Sequence, residues 1–124
     1  IYTTAKDKEK AKIEFKKGIT FNTSYGPGIG IETDLVDEVR NYAHAKGYVV
    51  FVYIERSTSY RGFKAPATSK VDFSALYEKV KKIEPLAEWY LHPSKQLLQC
   101  GSHKDAAKRL SRLNLNELIQ LAKD

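Results

Sequence analysis

The sequence predicts an α+β domain in which helices pack on an antiparallel or mixed sheet. Amphipathic helical patterns alternate with hairpin patterns along the chain, the arrangement that segregates helices onto one sheet. Tyr48 to Ile54 (YVVFVYI) is apolar without alternation and rich in Val and aromatics, as a central strand covered on both faces must be. At 124 residues with 42% hydrophobic side chains, the chain has material for one core and one domain spanning 1–124.

The N-terminal stretch from Thr4 to Lys17 sets six lysines against three acids, half of the net charge. Few apolar residues precede Ile13, so residues 1–11 read as a mobile basic arm and the stretch as a solvated arm or short helix. Ile13 and Phe15, then Ile19 and Phe21, alternate about a Lys-Lys-Gly turn and predict a half-buried hairpin. Thr23 to Glu32 is glycine-rich and reads as loop. Thr33 or Asp34 then caps a helix whose Leu35, Val36, Val39, Tyr42 and Ala43 share one face, and Gly47 stops it.

After the central strand comes a basic run. Asp72 opens the next helix as N-cap, with Val71 and Leu76 placed as a hydrophobic staple. Phe73, Leu76, Tyr77, Val80 and Ile83 line one face, and Pro85 ends it. LAEWYL and QLLQC flank the turn His92 to Lys95, which predicts a second hairpin with Trp89 inward and Glu88 outward. Ser102 and Asp105 have capping-box spacing for a helix reaching Leu113, and a shorter helix follows Asn116. The predicted order is ββαβ, loop, αββαα. A short strand within Ser59 to Ala65 would make the middle βαββαβ, the ferredoxin-like order.

A net charge of +6 directs attention to acidic partners: nucleic acid first, then an anionic membrane or an acidic protein. Single Cys100 excludes an internal disulfide framework and reads as a small buried hydrophobe. No apolar run approaches the ~18 residues of a membrane span. The expected setting is cytoplasmic or nucleoid-associated, or that of a secreted effector domain. The chain begins at Ile1 and contains no Met, which predicts a processed product or a piece of a longer polypeptide.

The run RSTSYRGFKAPATSK, Arg56 to Lys70, holds four basic residues, two aromatics and no acid. Arg56, Arg61, Lys64 and Lys70 are candidate phosphate contacts, and Tyr60 and Phe63 are candidate stacking platforms. Lys64, Ala65 and Pro66 follow Arg61-Gly62-Phe63 where an RNA-recognition signature needs Gly or Ala and then Phe. On a helix from His103 to Leu113, the 100° step gathers Lys104, Lys108, Arg109 and Arg112 into a second basic surface. The glycines from Gly26 to Gly30 lack the spacing of a dinucleotide or phosphate loop, and Glu32 and Asp34 repel an anion there.

Three histidines offer acid and base chemistry near neutrality. His44 falls on the polar face of its helix beside Asn41 and Asp37 and reads as solvated. His92 in its turn and His103 at a helix start form a candidate catalytic pair, with Lys104 or Lys95 to hold phosphorane charge. Glu55, Glu78 and Glu88 are too scattered for a two-metal site, and no metal or cofactor is implied. The leading expectation is a nucleic-acid-binding domain, for RNA or single-stranded nucleic acid, with RNA ahead of DNA. The alternatives are a metal-independent ribonuclease and a domain that docks an acidic protein.

Overall fold

The computed structural model describes residues 5–101 and 109–123. They form α1 (Ala5–Lys16), β1 (Ile19–Thr23), β2 (Gly26–Glu32), α2 (Val36–Ala45), β3 (Val50–Ile54), β4 (Arg61–Lys64), α3 (Ser74–Ile83), β5 (Trp89–Leu91), β6 (Leu97–Cys100) and α4 (Leu115–Ala122). The six strands make one mixed sheet in the order β1-β2-β3-β4-β6-β5. Only β2 and β3 pair in parallel, as they must when α2 carries the chain back between them. The α+β class expected from the sequence is the class observed.

β3 is the centre of the molecule, and all five of its residues are buried. Its alternation feeds two cores. Val50, Val52 and Ile54 face α3 and α4 together with Phe63, Phe73, Trp89, Leu98, Leu118 and others. Phe51 and Tyr53 face α1 and α2 together with Ile29, Ile31, Val39 and Ala43. A strand covered on both sides cannot alternate polar with apolar, which is why its run is continuous.

Four expectations are corrected. Ile13 and Phe15 belong to α1 and not to a hairpin: Ala11 and Phe15, four apart, face inward, while Ile13 is 56% exposed. The Phe15 ring meets Tyr42 and Tyr48 edge-on, with centroids at 4.8 and 5.6 Å, and this seats α1 against α2.

The glycine-rich segment is strand β2 rather than loop. A Cβ on Gly28 would lie 2.6 Å from the Phe21 ring, and one on Gly30 would lie 2.6 Å from Ile119 Cδ1. The missing side chains let Phe21 and α4 close onto the sheet, the positional use of glycine in a strand.

A short strand does form at Arg61–Lys64, yet the order is not ferredoxin-like. That topology separates the parallel strands of its βαβ unit, whereas β2 and β3 are direct neighbours. Finally, residues 109–113 are not helical, so the predicted basic helix does not extend to Leu113. Its earlier part, with the Ser102–Asp105 box, lies outside the described residues. α4 begins at Leu115, two residues ahead of expectation, because Asn114 and Glu117 cap each other's backbone amides at 2.8 and 3.0 Å.

Candidate nucleic-acid interface

The basic run is mostly folded. β3 and β4 are antiparallel neighbours joined by a tight turn, in which Glu55 N donates to Tyr60 O at 2.7 Å and Ser59 N to Glu55 O at 2.8 Å. Ser59 takes φ +65° there. Beyond β4, Ser69 N and Oγ both donate to Pro66 O, and Gln96 Nε2 donates to Ser69 O at 2.8 Å, holding the return to α3 against the β5–β6 turn.

Pleating divides the residues of this run between two faces. Arg61 and Phe63 point to the α3/α4 side. Phe63 is fully buried, its ring 6.0 Å from those of Phe73 and Trp89, so it is a core residue and presents no face to a base. Lys64 points to the α2 side, its side chain 17% exposed and its ammonium 3.6 Å from Asp37. It also lies 5.1 Å over the Tyr53 ring. Half-buried Tyr60 packs against Gly101 and lines a hollow with Asp34, Asp37 and Glu38, acidic surroundings that disfavour a nucleic-acid strand. Arg56 donates to Glu32 O at 2.8 Å and pairs with Glu14 at 3.2 Å, pinning α1 to the end of β2. Lys70 is exposed in the link to α3.

On the α3/α4 side, Arg61, Arg109 and Arg112 line one recess with Leu86, which is 71% exposed. Arg61 lies along its floor, donating to Ser59 O and, by a short hydrogen bond, to Leu113 O. Residues 109–113 run past as a non-helical strap fixed at several points. Glu84, at the end of α3, accepts from Trp89 Nε1 at 3.2 Å, from the Ser111 hydroxyl, and from Arg112 N at 2.8 Å. Glu88 N donates to Arg109 O at 2.9 Å, and Ser111 N to Cys100 Sγ at 3.3 Å. Cys100 is fully buried, as expected, and burial pushes its thiol pKa up. The strap thus presents Arg109 and Arg112 beside Arg61 without helical periodicity. Sequence alone does not signal Glu84, which ties segments far apart in the chain.

Of the candidate catalytic set, His103 and Lys104 lie outside the described residues, as does Lys108 of the basic surface. His92 is exposed in the β5–β6 turn, and Ser94 N donates to its Nδ1 at 3.1 Å. With Nδ1 accepting, neutral His92 carries its proton on Nε2. His44 is not simply solvated. Its Nε2 is buried, with no hydrogen-bond partner among the described residues. Burial first, then the charges of Arg40 and Lys64, hold its pKa below the ordinary 6.5. Arg40 and His44, one turn apart on α2, line a cleft with Lys64 and His92.

Among the described residues no three His, Cys, Asp or Glu side chains cluster as a metal site, and no helix is long and apolar enough to cross a membrane. Comparison with protein-family models, characterised proteins and solved structures finds no match to this chain.

Proposed function

We propose that this domain binds single-stranded nucleic acid, RNA ahead of DNA, along its α3/α4 face. The observation that supports this reading is the recess shared by Arg61, Arg109 and Arg112, from segments almost fifty residues apart. Guanidinium groups offer planar forks of donors matched to phosphate oxygens, and three in one recess suit successive phosphates of a strand. Exposed Leu86 beside them adds apolar surface for a base. The strap is held by backbone and carboxylate hydrogen bonds, so the backbone that carries Arg109 and Arg112 is fixed before ligand arrives, which lowers the ordering cost of binding.

Fluorescence anisotropy of a labelled single-stranded RNA across a salt series tests the reading. Binding is expected to weaken steeply with salt. Arg109→Ala and Arg112→Ala should each reduce the slope of log K against log salt by about 0.7 per lost phosphate contact. Absence of binding at about 50 mM salt, or slopes that ignore both substitutions, would sink the proposal. Salt-dependent capture of poly-glutamate with no RNA binding would point instead to an acidic protein partner.

A further inference from the structure

We infer that the cleft between α2, β4 and the β5–β6 turn is an oxyanion site for a phosphate group, held by Arg40, Lys64 and the Nε2–H of His92, with His44 at its wall. The cleft has a volume of about 410 Å³ and is lined by these four side chains together with Ser94 and Gln96. It lies on the α2 side of the sheet, away from the arginine recess, and does not rest on the RNA-binding reading.

Its charge is unbalanced. Arg40 and Lys64 approach the same carboxylate oxygen of Asp37, at 3.3 and 3.6 Å, so two cations share one anion. That carboxylate is 70% exposed and does not line the cleft, so it neutralises from outside. Lys64 registers the imbalance: burial first, then Arg40, lowers its pKa, and Asp37, with a smaller pull from Glu55, restores only part of it. An anion in the cleft would favour both cations.

The histidines fit the same ligand. The Ser94 amide donates to His92 Nδ1, which leaves Nε2–H as the donor available to an anion. His44 Nε2 is buried and unpartnered among the described residues, so an anion in the cleft reaches the ring through its charge, opposing the Arg40 and Lys64 cations that disfavour imidazolium. The charged and titratable groups around His44 are Arg40 on its own helix, Lys64 from β4 and His92 from the turn, with Asp37 acting through the first two. None is an anion that lines the cleft. A bound phosphate therefore raises the His44 pKa, and by linkage a protonated His44 tightens the anion by the same factor.

The test is a titration of the whole chain followed by the ring signals of His44 and His92 in 1H–13C NMR. Sulfate serves as the probe that does not itself titrate near neutrality, with inorganic phosphate and a nucleoside 5′-monophosphate as further arms. Both rings should shift saturably, and the His44 midpoint should move upward in sulfate. Arg40→Gln and Lys64→Met, each checked for native spectra, should weaken sulfate by about tenfold or more, the loss of one charge-assisted hydrogen bond. Arg112→Ala, on the opposite face, should leave it unchanged. Equal affinity for all three probes identifies free oxyanion as the ligand, and tighter monophosphate identifies a phosphate ester whose organic part uses the cleft. No saturable shift near pH 6, or a shift indifferent to Arg40→Gln and Lys64→Met, overturns the inference. Failure here leaves RNA binding by the arginine recess untouched.

Discussion

His44 shows how a single ring is decided by its neighbours rather than by its place in a periodic pattern. On a helical wheel it falls with Asn41 and Asp37 and reads as solvated; in the fold it lines a cleft with Lys64 from β4 and His92 of the β5–β6 turn. The consequence is a pH dependence of known sign. Its folded pKa lies below the ordinary 6.5, so as pH falls the unfolded chain takes up the proton first. The stability associated with neutral His44 is therefore complete above about pH 6.5 and is lost as pH drops toward the folded value. Urea midpoints at about pH 7.5 and about pH 5.5, measured in anion-poor buffer, should fall further for wild type than for His44→Gln. Equal losses would mean that His44 titrates alike in both states. Sulfate should shrink the wild-type loss if the cleft binds it.

At the scale of elements, the strap of residues 109–113 depends on one carboxylate. Glu84 takes three donors, and among the described residues no other side chain reaches from the end of α3 to Trp89, Ser111 and Arg112 together. Glu84→Gln exchanges one accepting oxygen for an NH2 that meets a donor. The expected cost is about 1–3 kcal/mol in urea unfolding, with faster tryptic cleavage after Arg109 and Arg112. Unchanged stability and cleavage would show that the Cys100 and Glu88 contacts hold the strap alone. None of this was legible in the sequence, because a hydrogen bond between residues 84 and 112 leaves no local pattern. β3 was legible as an unbroken apolar run, and α2, α3 and the β5–β6 hairpin were legible because their burial follows chain periodicity. β2 was not: Gly28 and Gly30 punctuate it like a loop, yet they are glycines because Phe21 and Ile119 occupy the space above them. α1 was misread for a related reason. Ile13 and Phe15 stand two apart as in a strand, but only Phe15 is packed, and the partner it shares a face with is Ala11.

Across the whole molecule, one sheet separates two cores and also two basic surfaces. The sequence places Arg61 and Lys64 three residues apart in one basic run, which invites counting both toward a single phosphate footprint. An odd separation in a strand sends them to opposite faces, and the contacts agree: Arg61 reaches Leu113 beside α4, while Lys64 lies against Tyr53 and Asp37 beside α2. The faces should therefore respond separately. Lys64→Met is expected to leave the salt slope of RNA binding as in wild type, although it removes one of the four cations of the run. Arg109→Ala should flatten that slope while leaving the sulfate-dependent shift of His44 in place. Since exposed charges more than about 10 Å apart are largely screened at 0.1 M salt, long-range attraction alone should not couple them. If Lys64→Met flattened the RNA slope as much as Arg109→Ala, the strand would have to pass around the sheet and occupy both faces. The cleft would then be a subsite of the nucleic-acid interface rather than an independent oxyanion site.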